Sequence, residues 1–241
     1  MIGGTLVSSE NYEEINSDIL LKTIIVHNPT VSSQYLQQDI ATDLITMAND
    51  AKSGGISSDD APVACDFYED YDPGTPVIIE PHTGFIFIYA NANLLGYLNF
   101  SFVDNPSDNK FKLPWSSSEV RNVMAVYIND RCSFSRVDKN KDLFNDIRRV
   151  WVPPENSTFR TFSIGKYLWK QLLDMLQMKK EHYSNVGISN ILIFNHSTEE
   201  ALPFHLKNGM RLISDKVKSV IKPIYDFYMV PVTERNLIYI Q

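Results

Sequence analysis

Cysteine is almost missing from this chain, where Cys65 and Cys132 are the only two in 241 residues. Two cannot build a disulfide framework, and neither falls in the clustered Cys/His spacing of a zinc site. No metal centre is expected, and both are read as buried or free thiols. A positive balance is missing as well. Twenty-two Lys and Arg against 29 Asp and Glu leave a net charge of -7, so no overall field draws the protein onto nucleic acid or an anionic membrane. A cationic partner is easier to accommodate. Nor is there a long apolar run. The most apolar stretch, 84–100, is broken by Asn91, Asn93 and Asn99, and its aromatic and β-branched content reads as paired strands, not as a membrane span. Residues 1–20 carry acids without a basic-then-apolar leader pattern, from which an intracellular, reducing location is expected.

What remains is a chain that is 44% hydrophobic and 12% aromatic, enough for a sizeable core and most simply one domain over 1–241. Short β-branched or aromatic runs predict strands at 20–27, 77–79, 84–89, 94–102, 120–128, 147–152, 188–195, 210–213 and 226–232. Helical spacing predicts a helix over 33–52, with Ser32 or Ser33 as cap, and another over 164–180 on Ile164, Leu168, Leu172, Met175 and Leu176. Ser197 with Glu200 fits a capping box opening a short helix that Gly209 ends; Pro203 pushes its regular part toward Leu202. Residues 50–75, with Asp59, Asp60, Asp66, Glu69, Asp70 and Asp72, read as a flexible acidic loop that could steer a cationic acceptor. Polar insertions are read near 104–118 and 138–142. The sum is an α/β arrangement, a mixed sheet with helices on its faces.

One stretch carries a chemical signal. After Val152-Pro153-Pro154, the turn Arg160-Thr161-Phe162-Ser163-Ile164-Gly165-Lys166 leads into the apolar helix. Unpaired N–H groups and the positive dipole end at such a start suit an anion, and Arg160 and Lys166 add fixed charge. A plain Ser163 cap on a core helix is the competing reading.

Arg160-x-x-Ser163-x-Gly165 resembles the acetyl-CoA signature of the GNAT superfamily of N-acetyltransferases, with Ser163 where the family has its first glycine. Downstream, Ala201 to Met210 (ALPFHLKNGM) is similar to the family's Ala-x-x-x-Tyr-x-Lys-x-Gly-Phe segment. The resemblance implies a mixed, mostly antiparallel twisted sheet with helices on both faces, splayed between the fourth and fifth core strands. The first of that pair would end at Val152, whose neighbourhood supplies a backbone donor to the thioester carbonyl, and the second near Asn195. Acetyl-CoA would lie in the splay as co-substrate, its pyrophosphate on Arg160, Thr161, Phe162, Ser163, Ile164, Gly165 and Lys166. Thr198 stands where the family often has a pantetheine-binding Asn.

The implied activity is direct transfer of acetyl from coenzyme A to a primary amine, on a small molecule, a lysine side chain or a protein N-terminus, without metal. His205 holds the place of the family's proton-donating Tyr, and an imidazole titrates near neutral pH; Tyr167 and Tyr183 are substitutes. His196, then Asp146, are the candidate general bases. Two other readings stay open: a catalytically inactive GNAT-like binding or scaffolding subunit, and an unrelated α/β protein whose turn holds another phosphate. The oligomeric state is not specified.

Overall fold

The computed structural model describes residues 6–53, 68, 70–103, 111–112, 119–120, 123–153, 160–182, 190–196, 202–212 and 236–240. The fold is α/β, with antiparallel strand pairs, one parallel pair and helices between them. The residues group into two compact units, Met1–Asn99 with Asp130–Leu172, and Phe100–Asn129 with Leu173–Gln241.

In chain order, the first unit holds β1 (Val7–Asn16), β2 (Ile19–His27), β3 (Gln34–Tyr35), α1 (Gln38–Ser53), β4 (Ile78–Ile79), β5 (Thr83–Ala90) and most of β6 (Asn93–Val103). Neighbours run β1-β2-β5-β6. The β1–β2 turn is set by Asn16, whose Oδ1 accepts from the N–H groups of Asp18 and Ile19, each at 2.9 Å. Asn91 sets the β5–β6 turn. Its φ of 54° lies in the left-handed region that Asn tolerates, and its side-chain oxygen accepts from Leu20 N–H at 3.0 Å, fixing the turn to β2.

Every residue of β5 is buried, as a strand covered on both faces must be. Phe85, Phe87 and Tyr89 join one core with Ile40, Leu44 and Ile45 of α1, while Ile86 and Ile88 between them are equally buried. The helix expected over 33–52 starts later, at Gln38, because Gln34 and Tyr35 pair with Ile79 and Ile78 instead. Ser33, expected as a cap, donates its hydroxyl to Glu80 at 2.7 Å. β1 has no counterpart among the expected strands. Most of its residues are exposed, so it carries no apolar alternation to read.

The second unit takes in the remainder of β6, then β7 (Phe111–Lys112), β8 (Glu119–Val120) and most of β9 (Val123–Ser133). β7 pairs with β8, so part of the polar stretch expected near 104–118 is strand. The chain then returns to the first unit for α2 (Asp138–Val150) and the start of α3 (Ile164–His182). The second unit resumes with the end of α3, β10 (Asn190–His196), α4 (Leu202–Lys207), β11 (Arg211–Leu212) and β12 (Asn236–Ile240). Its neighbours run β9-β10-β12-β11. β10 is parallel to β9 from Asn190↔Val123 to Asn195↔Ile128, and antiparallel to β12.

Two expectations are corrected by α2. Residues 138–142, read as a polar insertion, are its first turn, and 147–152, read as a strand ending at Val152, are its C-terminus and the irregular 151–153. Burial explains the outcome. Asn140 and Ile147, seven residues apart, are the buried positions of α2, whereas a strand would have set Arg149 on the same face as Ile147. Val152 is 79% exposed. The strand parallel to β10 is therefore β9.

Of the acidic loop expected over 50–75, residues 50–53 belong instead to the end of α1. Among the described residues of that stretch, Asp70 pairs with Lys52 and donates its N–H to Asn49 Oδ1 at 2.9 Å. Pro203 lies in the first turn of α4, where a missing N–H costs nothing, and Gly209 closes the turn after it at φ 90°. Cys132 is buried and disulfide-bonded, not a free thiol; a count of two excludes a framework, not a single bridge. The strand expected at 226–232 lies outside the described residues. No described helix is long and apolar enough to cross a membrane.

Candidate functional site

The turn before α3 is anchored by Phe162. Its ring is 3% exposed and packs against Phe144 at 6.0 Å, Trp151 at 5.8 Å and Tyr167 at 5.6 Å between centroids. Ile164 is buried beside it. With those two side chains directed inward, the neighbouring Thr161, Ser163 and Lys166 are left at the surface of a cleft of about 680 Å³, within the range of small-molecule sites. The helix opens at Ile164, the Ser163 carbonyl accepts from Tyr167 N–H at 2.9 Å, and the first turn holds no acid.

The opposite wall is α2 and the residues before it. Lys141, Phe144, Asn145 and Arg148 all line the cleft, at the i, i+3, i+4, i+7 spacing that puts them on one helical face. Arg136 and Ser135 complete that side. Four cations, Arg136, Lys141, Arg148 and Lys166, thus border one cavity, and no carboxylate lines it among the described residues. The other bases of α2 are differently engaged: Lys139 pairs with Asp50 at 2.7 Å and Arg149 with Asp146 at 3.1 Å. Lys141 makes no ion pair among the described residues, and Arg148 lies 5.8 Å from the Phe144 ring centre. In a chain of net charge -7, this is a concentrated positive site for an anion. Among the described residues, no group of three or more His, Cys, Asp or Glu is placed to hold a metal.

The chain matches no known family model and no curated protein sequence. The site therefore rests on its own geometry.

Of the residues singled out from the sequence, Thr161, Phe162, Ser163 and Lys166 come together in the cleft, while Arg160 is exposed at the start of the turn and outside the lining. Ile164 and Gly165 are the first residues of α3. Asp146, a candidate base, is on α2 in the exposed pair with Arg149. Tyr167, a substitute acid, is 7% exposed and donates to Glu13 at 2.7 Å. In the second unit, Asn195 and His205 are both buried, at 6% and 4%, and the Asn195 amide nitrogen lies 2.7 Å from His205 Nε2. The same amide nitrogen lies 3.3 Å from His205 Nδ1. His196 ends β10. Thr198 and Tyr183 lie outside the described residues.

The cationic face of α2 escaped the sequence reading. The signal was the spacing of Lys141, Asn145 and Arg148, masked by a turn-like Asp138-Lys139-Asn140 start and a β-branched end. Also missed was Asp130 on β9, 6% exposed, whose carboxylate accepts from the Tyr97 hydroxyl and, at 2.6 Å, from Arg131 N–H. Burial pulls the Arg131 guanidinium down to about 10, against the opposing pull of the Asp130 charge. Burial, then the same carboxylate, pushes the Tyr68 phenol up.

Proposed function

We propose that this chain is an acetyl-CoA-dependent N-acetyltransferase acting on a primary amine. The observation that carries the reading is the cleft bordered by four cations, with no carboxylate among the described lining residues, and lined by the Thr161, Phe162, Ser163 and Lys166 to which the family resemblance assigns a pyrophosphate. The parallel β9–β10 pair supports it too: the ladder stops at Ile128↔Asn195 while β9 continues to Ser133, as a splayed strand would. The splayed partner in this reading is β9, in place of the segment ending at Val152.

In the reaction, the amine lone pair attacks the thioester carbonyl carbon, the C–S bond breaks, and the thiolate takes up a proton. Lys166 and the N–H groups at the start of α3 neutralise the pyrophosphate and hold the donor in place, which converts an encounter between two molecules into a positioned one. His205, by its place in the second motif, is assigned proton delivery, and His196 and Asp146 are the groups to test as bases. The acceptor is an amine of a small molecule, a lysine or an N-terminus.

A second reading is favoured by one observation. His205 is enclosed and bonded to Asn195, which is how a structural imidazole is held, so a binding subunit of the same fold without catalysis is the alternative. Calorimetric titration with acetyl-CoA, followed by an acetyl-transfer assay on polyamine and lysine-peptide acceptors, separates them. Binding with transfer, both reduced by Lys166→Ala, supports the enzyme; binding without transfer to any acceptor supports the subunit. Absence of binding at high micromolar acetyl-CoA rejects both.

A further inference from the structure

We infer that the outer edge of β1 is a docking strand for an extended, lysine- or arginine-bearing segment of another polypeptide, which adds to the sheet as a further strand. This goes beyond the acetyl-CoA reading and does not depend on it. β1 runs ten residues, Val7–Asn16, and stands at the end of the strand order, paired with β2 alone among the described residues. An antiparallel ladder uses the N–H and C=O groups of alternate residues, so about half of β1 holds out a row of unpaired groups on the other side. An extended polypeptide completes such a row. Edges that resist pairing are short or are interrupted by proline, lysine or a bulge. β1 is long and has neither proline nor lysine. Its one irregularity, at Glu14/Asn16, lies beside the turn to β2 and leaves Val7 to Glu13 in regular register.

Charge decides which segment fits. The strand and its turn, residues 7–18, hold Glu10, Glu13, Glu14 and Asp18 and no basic residue. Glu10 is already matched by Lys22 at 2.7 Å. Glu13 accepts from the neutral Tyr167 hydroxyl, which leaves its charge in place, and Glu14 and Asp18 make no ion pair among the described residues. Glu13 lies on one face of the strand and Glu14 on the other, so bases on either face of an added strand meet a carboxylate, and opposite charges across a ladder stabilise it. Tyr12 supplies an apolar contact. It is exposed on the face of Glu10 and Glu14, and it is held there by its hydroxyl bond to Glu10 at 2.6 Å and by Lys22, 5.8 Å from its ring centre. A second copy of the chain fits poorly. Pairing β1 with β1 sets acids against acids, with no base on either strand.

The test is titration of the full chain with a capped peptide, Thr-Lys-Val-Lys-Thr-Lys-Val-Lys-Thr, together with amide hydrogen exchange of β1. Two control peptides accompany it. One is N-methylated at two adjacent central residues, which blocks both of its edges without changing its charge, and the other carries Glu in place of every Lys. The lysine peptide is expected to bind and to slow exchange of the β1 amides. The N-methylated peptide should bind about tenfold or more weakly, since main-chain bonds are lost, and the Glu peptide should not bind at millimolar concentration. Glu13→Gln/Glu14→Gln keeps an acceptor for Tyr167 while removing both charges, and should weaken the lysine peptide about threefold or more. Equal affinity for the methylated and unmethylated peptides would mean adhesion by charge alone and overturns the inference. So does binding that leaves β1 exchange unchanged, or no binding of the lysine peptide at millimolar concentration. Sedimentation showing a dimer whose formation alone protects the β1 amides would assign the edge to a second copy and overturn it too. Because no acetyl-CoA enters these measurements, each outcome leaves the acetyl-CoA reading where it stands.

Discussion

Gly96 on β6 and Ile164 at the start of α3 are in contact that leaves no room for a side chain between them. A Cβ at Gly96 would stand 2.6 Å from Ile164 Cγ2 and 2.6 Å from the Cys132 carbonyl oxygen. The second of these is backbone and cannot rotate away. We expect Gly96→Ala to cost about 1–3 kcal/mol as an overpacked site, lowering the thermal midpoint by several degrees for a chain of this size. Since Ile164 opens the helix behind the cleft, acetyl-CoA affinity should fall with it. A midpoint within one degree of wild type in a thermal scan counts against this contact.

Asn140 fastens the cationic wall. Its side-chain amide donates to the Leu94 carbonyl at 2.9 Å and the Phe134 carbonyl at 3.1 Å, both buried bonds, so a polar residue replaces apolar packing under α2. Asn140→Ala should destabilise by about 2 kcal/mol or more, because two buried carbonyls lose a donor. Denaturant titration measures the loss, and weakened acetyl-CoA binding is the companion result expected if α2 must be seated for the cleft to form.

The Tyr97 hydroxyl and Asp130 carboxylate form a buried pair, with Tyr97 fully enclosed. Asp130→Ala leaves that hydroxyl without its acceptor and withdraws the charge beside Arg131, for an expected cost of about 3–5 kcal/mol. Tyr97→Phe should cost less. A double-mutant cycle in urea reads the coupling directly, and a coupling near zero would show the pair to be incidental.

Asp43 on α1 links pH to stability. Burial raises its carboxyl above the ordinary aspartate value of 3.8, with the hydrogen bond from Tyr89 acting in the other direction. A carboxyl raised on folding contributes fully below 3.8, and its contribution is lost as pH rises through the raised folded value. Asp43→Asn cannot lose a proton. Its stability relative to wild type should therefore improve as pH increases through and above the carboxylate range, as measured by urea unfolding at a series of pH values. A difference that does not vary with pH would refute the assignment.

Much of the architecture was legible because it repeats. The apolar spacing of Ile164, Leu168 and Leu172 gave α3, and the continuous run of 84–89 gave a strand buried on both faces. Two kinds of element were hidden. β1 is an exposed strand whose partners, not its composition, make it a strand. α2 buries Asn140 where an apolar residue is expected, so its helical period was broken at the one position that decides it. The cleft was half legible for the same reason. Thr161 to Lys166 announced an anion by chemistry local to the turn, whereas Lys141 and Arg148 become neighbours of that turn only when α2 is a helix.

The parallel ladder of β9 and β10 also sets an order of events during synthesis. Antiparallel neighbours β1 and β2 follow each other closely, but Asn190 leaves the ribosome about sixty residues after Ile128. At about 5–20 residues per second, that leaves one side of β9 unpaired for about 3–12 seconds. An open strand edge of that duration is a template for pairing with other chains. The nascent chain therefore carries that open edge after α2 and α3 have emerged and before β10 has.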